Sequence, residues 1–296
     1  MRSSQPSLAE LGELVRVNNE RANKIKYLGL QSLCISQWPK ACWVMPTAFC
    51  LNSLFVPCYR QPRLIQSIDL VHLWKSRKGI YRGPRLDLAD ADLFMALLTM
   101  HHQKGVPLGA VFCVPTYAIL SACKPLRKTF GSSDYLWSSK ALKRLYDARM
   151  ILSREKAPDV VERIGSESLP LRLVKEFSIS SSSITLQFDP RLATLFENSQ
   201  FTLIDIECHV KLRSDLSKAL HLVFASMRER VQRHRLSRLL LRLDYIIPTG
   251  KAKKKIDEAC QNLETATVLE THDWEVMPNE IVLVIKRPNS GYARHL

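Results

Sequence analysis

Stretches of helical and strand-like periodicity follow one another through the first part of the chain. Leu93, Leu97 and Met100 recur at helical spacing within residues 86–102, and acidic residues near the start of this segment favour a helix there. The other elements predicted here are a strand over 111–114, helices over 115–122 and 135–150, and a β-hairpin over 169–188 with the serine run 180–183 at its tip. Helix, strand, helix, helix and hairpin, in this order, are the elements of a winged-helix domain.

The same order of elements recurs in the second part, although no sequence identity between the two parts is visible. The predicted elements are an amphipathic helix over 212–227, a segment rich in leucine and arginine over 236–247, a helix over 251–263, and a hairpin whose strands, 268–270 and 281–286, bracket Trp274. The pattern therefore predicts a second winged helix.

The first fifty residues follow neither pattern. Ser7 to Glu10 match a capping box and predict a short helix, whereas residues 33–50 contain Trp38, Pro39 and Trp43 without a clean period and indicate an extended arm. The sequence thus predicts an α+β fold of tandem winged-helix domains with an extended N-terminal arm. The predicted divisions are 1–50 for the helix and arm, 51–188 for the first domain, 189–290 for the second domain and 291–296 for a tail.

Basic charge is concentrated in residues 224–255. This segment has ten lysines and arginines against only Glu229 and Asp244, so it contributes +8 to the formal net charge of +15. A block of this size needs a polyanionic partner or a solvated surface. Because a helix and a hairpin are predicted at its end, duplex DNA is the favoured partner and an anionic membrane surface the weaker one.

The helix predicted over 251–263 has the pattern of a DNA-reading helix. Its buried stripe would consist of Ala252, Ile256, Ala259, Cys260 and Leu263, with Lys251, Lys254, Glu258, Gln261 and Asn262 pointing away. Lysine near a helix N-terminus can meet phosphate or guanine, and Asn or Gln can read adenine. A solvated basic helix is the alternative interpretation.

Further basic residues around this helix complete the predicted DNA-binding set. The candidates are Lys251, Lys253, Lys254, Lys255, Gln261, Asn262, Arg228, Arg230, Arg233, Arg235, Arg238, Arg242, Lys286 and Arg287, with a weaker basic face in the first domain formed by Lys140, Lys143, Arg144 and Arg154. Each arginine between 228 and 242 could equally clamp a phosphate or belong to a solvated surface.

Patterns typical of enzymes and metal sites are weak. Gly250 and the lysine after it lack the preceding glycine and the following Ser or Thr of a phosphate loop. Cys34, Cys42, Cys50 and Cys58 are evenly spaced but form no Cys-x-x-Cys pair, which favours reduced thiols over a zinc site. We therefore expect no catalytic residue, metal or cofactor. No apolar run has the length of a signal peptide or a membrane span, so we expect a cytoplasmic protein.

Several short motifs, from about Leu30 to Lys286, resemble those of the TrfA-type plasmid replication initiators. The matching segments are Leu51-Asn52-Ser53-Leu54-Phe55, Tyr81-x-Gly83-x-x-Leu86, Leu142-x-Arg144-Leu145, Phe188-Asp189, Phe201-Thr202 and Glu258-Ala259-Cys260-x-x-Leu263. The residues Gly29 to Leu33 align with the family's clamp-binding segment but lack its glutamine and phenylalanine.

The resemblance implies a DNA-binding protein with tandem winged helices that binds directly repeated origin sites (iterons) and helps to open an adjacent AT-rich region. It also implies the host initiator, helicase and sliding clamp as partners, and a homodimer, formed through the first domain, that limits plasmid copy number. The residues themselves leave a second hypothesis open, a winged-helix transcriptional regulator that binds operator DNA. A nucleic-acid enzyme is the more distant alternative.

Overall fold

The structure is a computed structural model that describes residue 39 and residues 41–57, 65–73, 77–154, 170–180, 182–196, 200–278 and 280–288. The helix predicted at Ser7 to Glu10, the segment Gly29 to Leu33 and the tail from 291 lie outside these ranges. Helices and strands alternate throughout the described residues, so the fold is α+β, as predicted.

The described elements are β1 (Cys42–Pro46), α1 (Thr47–Cys50), β2 (Ile65–Leu73), β3 (Arg77–Pro84), α2 (Leu88–Gln103), β4 (Val111–Pro115), α3 (Thr116–Cys123), α4 (Ser132–Asp147), β5 (Arg149–Arg154), β6 (Leu171–Arg172), β7 (Val174–Ile179), β8 (Ser183–Phe188), a 3-10 helix (Pro190–Leu195), β9 (Phe201–Asp205), α5 (Ile206–Lys211), α6 (Asp215–Ala225), β10 (Val231–Arg235), α7 (Leu236–Arg242), α8 (Thr249–Thr265), β11 (Thr271–Met277) and β12 (Glu280–Lys286). The helices and hairpins predicted within the described residues are present, with shifted ends.

Local side-chain chemistry explains where the first long helix begins. The Asp87 side chain accepts a hydrogen bond from the backbone N–H of Asp90, and the Asp90 side chain accepts one from the backbone N–H of Asp87. This reciprocal pair satisfies two amide groups that have no partner within the helix. Consequently α2 begins at Leu88, two residues after the predicted start.

Strand pairing overrides the helix that was predicted to continue to residue 150. The helix α4 ends at Asp147, and Met150 lies in β5, opposite Tyr81 of β3 and Leu171 of β6. Its side chain is fully buried there. The apolar Met150 therefore satisfies the helical period by chance, whereas its burial comes from a sheet whose other strands are distant in sequence.

The two halves of the chain contain sheets of the same strand order. In the first half β4 pairs with β8, which pairs with β7; in the second half β10 pairs with β12, which pairs with β11. In each half the hairpin therefore closes on the strand that precedes its last two helices. Trp274 was predicted to lie between the two strands of the second hairpin. It lies instead within β11, opposite Leu283.

The predicted arm does not extend to its last residues. All five residues of β1 are buried, and β1 pairs antiparallel with β9 of the second half. Trp43 and Met45 belong to the largest fully buried side chains. The absence of a period in this segment reflects burial on both faces, which removes the alternation that marks a half-exposed strand.

One continuous apolar core runs through both halves. Where α2 and α6 meet, Asp92 accepts a hydrogen bond from His209 (Nε2 to Oδ1, 3.0 Å) and forms an ion pair with Lys218. His209 Nδ1 lies 3.0 Å from His221 Nδ1, so one of the two rings donates to the other. Burial alone would raise the pKa of Asp92, but His209 and Lys218 hold it below its usual range. Buried charges thus connect the first half to the second.

Candidate nucleic-acid interface

The helix α8 buries the predicted stripe and exposes the opposite face. Its buried residues are Ala252, Ile256, Ala259, Cys260 and Leu263, as the apolar period predicted. Lys251, Lys254 and Gln261 are exposed. This orientation confirms the predicted face and leaves a basic surface at the start of the helix.

The first turn of α8 has positive charge where a helix normally favours negative charge. Pro248 precedes the helix without a side-chain cap, and no acidic residue lies in the first turn. Lys251 and Lys254 are exposed and form no ion pair or hydrogen bond with other residues described by the structure. Because the amide groups of a helix N-terminus also attract anions, lysines and backbone together form an anion-binding surface.

One side of α8 contacts the hairpin. Lys253 Nζ lies 5.3 Å from the centre of the Trp274 ring, and Trp274 Nε1 donates to Asp257 (3.2 Å). His272 lies between Asp257 and Glu264, at 3.0 Å and 2.8 Å. Burial opposes the protonation of His272, but the hydrogen bonds with Glu264 and Asp257 raise its pKa. These contacts hold the hairpin against the helix, so Lys253 has a structural role besides its predicted one.

The remaining predicted residues of α8 bond within the helix. Lys255 pairs with Glu258 (2.7 Å), Asn262 donates to the backbone carbonyl of Glu258 (2.7 Å), and Gln261 donates to Asp257 (3.2 Å). Asn262 is half-buried, whereas Gln261 stays exposed. Of the two amides predicted to read bases, Gln261 is therefore the more accessible.

Glutamates pair with the exposed arginines of β10 and with Arg230, which directly precedes it. Arg230 pairs with Glu270 at 2.7 Å, Arg233 with Glu275 at 3.2 Å and Arg235 with Glu280 at 3.0 Å. Lys286 also pairs with Glu270, at 2.8 Å. These side chains are partly exposed, so each pair contributes little stability and a phosphate could replace the carboxylate.

The other basic residues of this segment differ in accessibility. Arg228 and Arg238 are exposed, and neither contacts an acid among the described residues. Arg242 is half-buried, and burial, together with the charge of Arg238, lowers its pKa. Arg287 donates to the backbone carbonyls of Phe224 and Met227 at the end of α6. Arg287 thus serves the protein interior, whereas Arg228 and Arg238 remain exposed to solvent.

Two of the four basic residues predicted in the first half are engaged with acids. Lys143 pairs with Asp147 (3.1 Å), and Arg144 forms hydrogen bonds with both oxygens of Asp90, which is fully buried. Lys140 is exposed. Arg154 ends β5, and its side chain lies outside the described part of the structure.

Sequence reasoning missed the acids that oppose the basic block. Glu270, Glu275 and Glu280 follow the block in sequence, and only the pairing of β10 with the hairpin brings them to it. Alternating charge on neighbouring strands was the available signal, because opposite charges across a sheet stabilise each other. Detecting this signal required knowledge of the strand register, which the sequence alone does not give.

The described residues contain little that favours another kind of site. In these ranges no group of His, Cys, Asp or Glu side chains is arranged to hold a metal ion. Cys42 and Cys50 are buried, and burial raises the pKa of Cys50 to about 12. No helix in the described part of the chain is both long and apolar enough to cross a membrane.

Comparison with known proteins identifies the family. The profile of the TrfA protein family matches residues 9–284, which is most of the chain. The chain belongs to the TrfA family. This membership confirms the resemblance seen in the motifs and supports the general conclusion that the chain is a replication initiator protein. No curated protein sequence matches the chain significantly.

Two solved structures share the fold of this TrfA-family chain. A crystal structure of domains 2 and 3 of RctB, as the selenomethionine derivative, has a TM-score of 0.60 at 15% identity and covers 82% of this chain and 98% of its own. A second RctB structure of domains 2-3 has a TM-score of 0.56 at 14% identity, with coverages of 81% and 97%. At this identity the likeness concerns the fold alone.

Proposed function

We propose that this protein initiates plasmid replication by binding directly repeated origin sites in duplex DNA, with α8 as the principal reading helix. Membership of the TrfA family supports the general function. The lysines near the N-terminus of α8 support the assignment of the helix, because Lys251 and Lys254 are exposed and have no acid partner among the described residues.

The architecture that fits this function is a pair of winged helices. Each half has a helix, a strand, two helices and a hairpin, and each hairpin pairs with the preceding strand in the same order. In winged helices and related folds the last helix enters the major groove with its N-terminal residues. That position corresponds to Lys251 and Lys254 in α8.

Binding and deformation of DNA, without covalent chemistry, make up the proposed mechanism. Lys251 and Lys254 contact phosphate or guanine, Gln261 reads an adjacent base, and Arg238 holds the backbone. The arginines of β10 add phosphate contacts when phosphate groups replace the carboxylates of their glutamate partners. Strain in the bound duplex then favours opening of a nearby AT-rich region. Homodimerisation and contacts with the host initiator, helicase and sliding clamp are further parts of the proposal, and they rest on the family.

The test is fluorescence anisotropy with the full chain and two labelled duplexes, the direct repeats that flank its gene and a scrambled control of equal length. We expect repeat-selective binding with a Kd of about 10⁻⁸–10⁻¹⁰ M at moderate salt, and steep weakening as salt rises. Equal affinity for both duplexes would remove the initiator assignment. Selective binding without strand opening would favour a transcriptional regulator.

A double substitution tests the assignment of α8 itself. Lys251→Ala with Lys254→Ala should reduce the salt slope by about two units, one for each phosphate contact that is lost. It should weaken repeat binding roughly 100-fold if each lysine contributes about 1.4 kcal/mol, because each such contribution corresponds to a tenfold change in affinity. Lys143→Ala is the matched control, since it removes an exposed lysine that is already paired with Asp147. An unchanged slope in the double variant would contradict the assignment.

A further inference from the structure

The helix α4 occupies in the first half the place that α8 occupies in the second. Both follow the strand and short helix that precede a hairpin of the same strand order. Their buried residues also have the same spacing: Asp134, Ser138, Ala141, Leu142 and Leu145 in α4, and Ala252, Ile256, Ala259, Cys260 and Leu263 in α8. The two helices can therefore be compared position by position.

This comparison shows that α4 presents a different chemistry to solvent. Lys253 and Lys254 follow the first buried residue of α8, whereas Tyr135 and Leu136 follow that of α4. Leu136 is 55% exposed and Tyr135 37% exposed. A helix that presents leucine and tyrosine where its counterpart presents lysines is poorly suited to phosphate and well suited to an apolar partner.

Exposed apolar residues continue from α4 onto its neighbours. The rings of Tyr117 and Phe130 meet edge to face, 5.5 Å apart, and Phe130 directly precedes the N-cap of α4. Leu126, in the same loop, is 72% exposed. The tip of the hairpin reaches the start of α3, because the backbone N–H of Thr116 donates to the carbonyl of Ser182 (2.9 Å), and Ile179 lies near this tip, opposite Ile184. We call Tyr117, Leu126, Phe130, Tyr135, Leu136 and Ile179 the α4 patch.

Basic residues lie in the same loop and helix as the α4 patch, and the acid that directly precedes Tyr135 is already neutralised. Asp134 is almost buried and pairs with Lys124 (2.7 Å) and Arg127 (3.1 Å). Lys128 lies between Leu126 and Phe130 in the loop, and Lys140 lies one turn after Leu136 on α4, and both are exposed. The patch is thus apolar at its centre and positive at its rim, which complements a partner with the opposite rim charge.

We propose that the α4 patch is the docking site for an acidic amphipathic helix of a partner protein. The apolar face of such a helix would cover Tyr135, Leu136 and Leu126, and its carboxylates would meet Lys128 and Lys140. This inference rests on the proposed function, in which α8 of the second half is the principal reading helix. It explains why two helices with the same buried pattern differ on their outward faces.

The experiment uses the full chain and two labelled peptides of about 18 residues, one with leucines at helical spacing and glutamates elsewhere, the other with lysines in place of the glutamates. We expect the acidic peptide alone to bind, in the micromolar range. Tyr135→Ser with Leu136→Ser should weaken this binding at least roughly tenfold. Val276→Ser is the matched control, because it removes an exposed apolar side chain from the second half.

Charge reversal separates a specific rim from a general attraction to a basic protein. Lys128→Glu with Lys140→Glu should reverse the preference, so that the lysine peptide binds better than the glutamate peptide. Equal binding of both peptides to the wild-type chain would overturn the inference. The inference would also be overturned if Tyr135→Ser with Leu136→Ser weakened the binding of a single-stranded oligonucleotide, because the patch would then be a nucleic-acid surface.

The same variants keep this inference separate from the proposed function. All four substituted positions of the α4 patch and its rim are exposed, so folding should change by no more than about 0.5 kcal/mol, which circular dichroism and urea unfolding can check. Repeat binding by the variant Tyr135→Ser with Leu136→Ser, which changes no candidate DNA-binding residue, should stay within about twofold of wild type. Failure of the wild-type chain to select the repeats would contradict the proposed function alone, whatever the peptides show.

Discussion

The buried carboxylate of Asp92 offers the sharpest test of how the two halves are held together. Asp92 lies on α2 with a side chain 6% exposed, whereas its partners His209 and Lys218 lie on α5 and α6. Asp92→Asn keeps the volume of the side chain and removes its charge. His209 and Lys218 then lose their anionic partner inside the protein, a change that typically costs about 3–5 kcal/mol.

Urea unfolding, followed by tryptophan fluorescence, measures this loss. Trp43 is a suitable reporter because its ring lies 5.7 Å from that of His209. The matched control is Asp147→Asn, which removes one partly exposed ion pair with Lys143 and should cost no more than about 0.5 kcal/mol. A loss for Asp92→Asn within about 1 kcal/mol of the control would refute the reasoning, since the network would then contribute no more than a surface pair.

The pH dependence of the same measurement tests the sign of the argument. The pKa of Asp92 is lower in the folded protein than in the unfolded chain. The carboxylate therefore stabilises the protein above an unfolded pKa of about 3.9, and this stabilisation is lost as pH falls through the lower, folded pKa. The difference between wild type and Asp92→Asn should shrink on acidification, provided that the chain remains folded there.

Two further predictions concern the hairpin and a turn. Glu264 and Asp257 raise the pKa of His272, so this residue stabilises the protein fully below an unfolded pKa of about 6.5 and loses that effect as pH rises through its higher, folded pKa. In urea unfolding, the stability advantage of wild type over His272→Gln should therefore fall with rising pH. An advantage that grows with pH would contradict this prediction. Gly109 has φ +90°, and a Cβ there would lie 2.9 Å from Cβ of Pro190. Gly109→Ala should therefore lower the free energy of unfolding by about 1–3 kcal/mol. Calorimetry that shows an equal or greater stability for this variant would contradict the prediction.

Elements with a strong local signal could be predicted from the sequence. The five apolar residues of α8 recur at helical spacing, and the structure buries the same five. Pro115 and Thr116 marked the change from β4 to α3 because proline has no N–H to donate to a helix or a sheet. In both cases the deciding residues lie within one or two turns of each other.

Elements whose surroundings come from distant segments could not be predicted in this way. The strand β1 was interpreted as part of an arm, because burial by β9 on one side and the core on the other leaves no alternation to detect. Met150 fitted a helical period but pairs within a sheet. The polar network of Asp92 and His209 joins residues from opposite halves, and no spacing along the chain indicates it.

The sequence by itself determined the total positive charge, its concentration in residues 224–255 and the exposed face of α8, because charge and helical period are properties of neighbouring residues. The tertiary structure alone decided which of those charges stay available. Sheet formation brings Glu270, Glu275 and Glu280 to the arginines near β10 and leaves Lys251 and Lys254 without an acid partner among the described residues. The physical reason is that an ion pair depends on distance in space, which the chain sets only once its strands have paired.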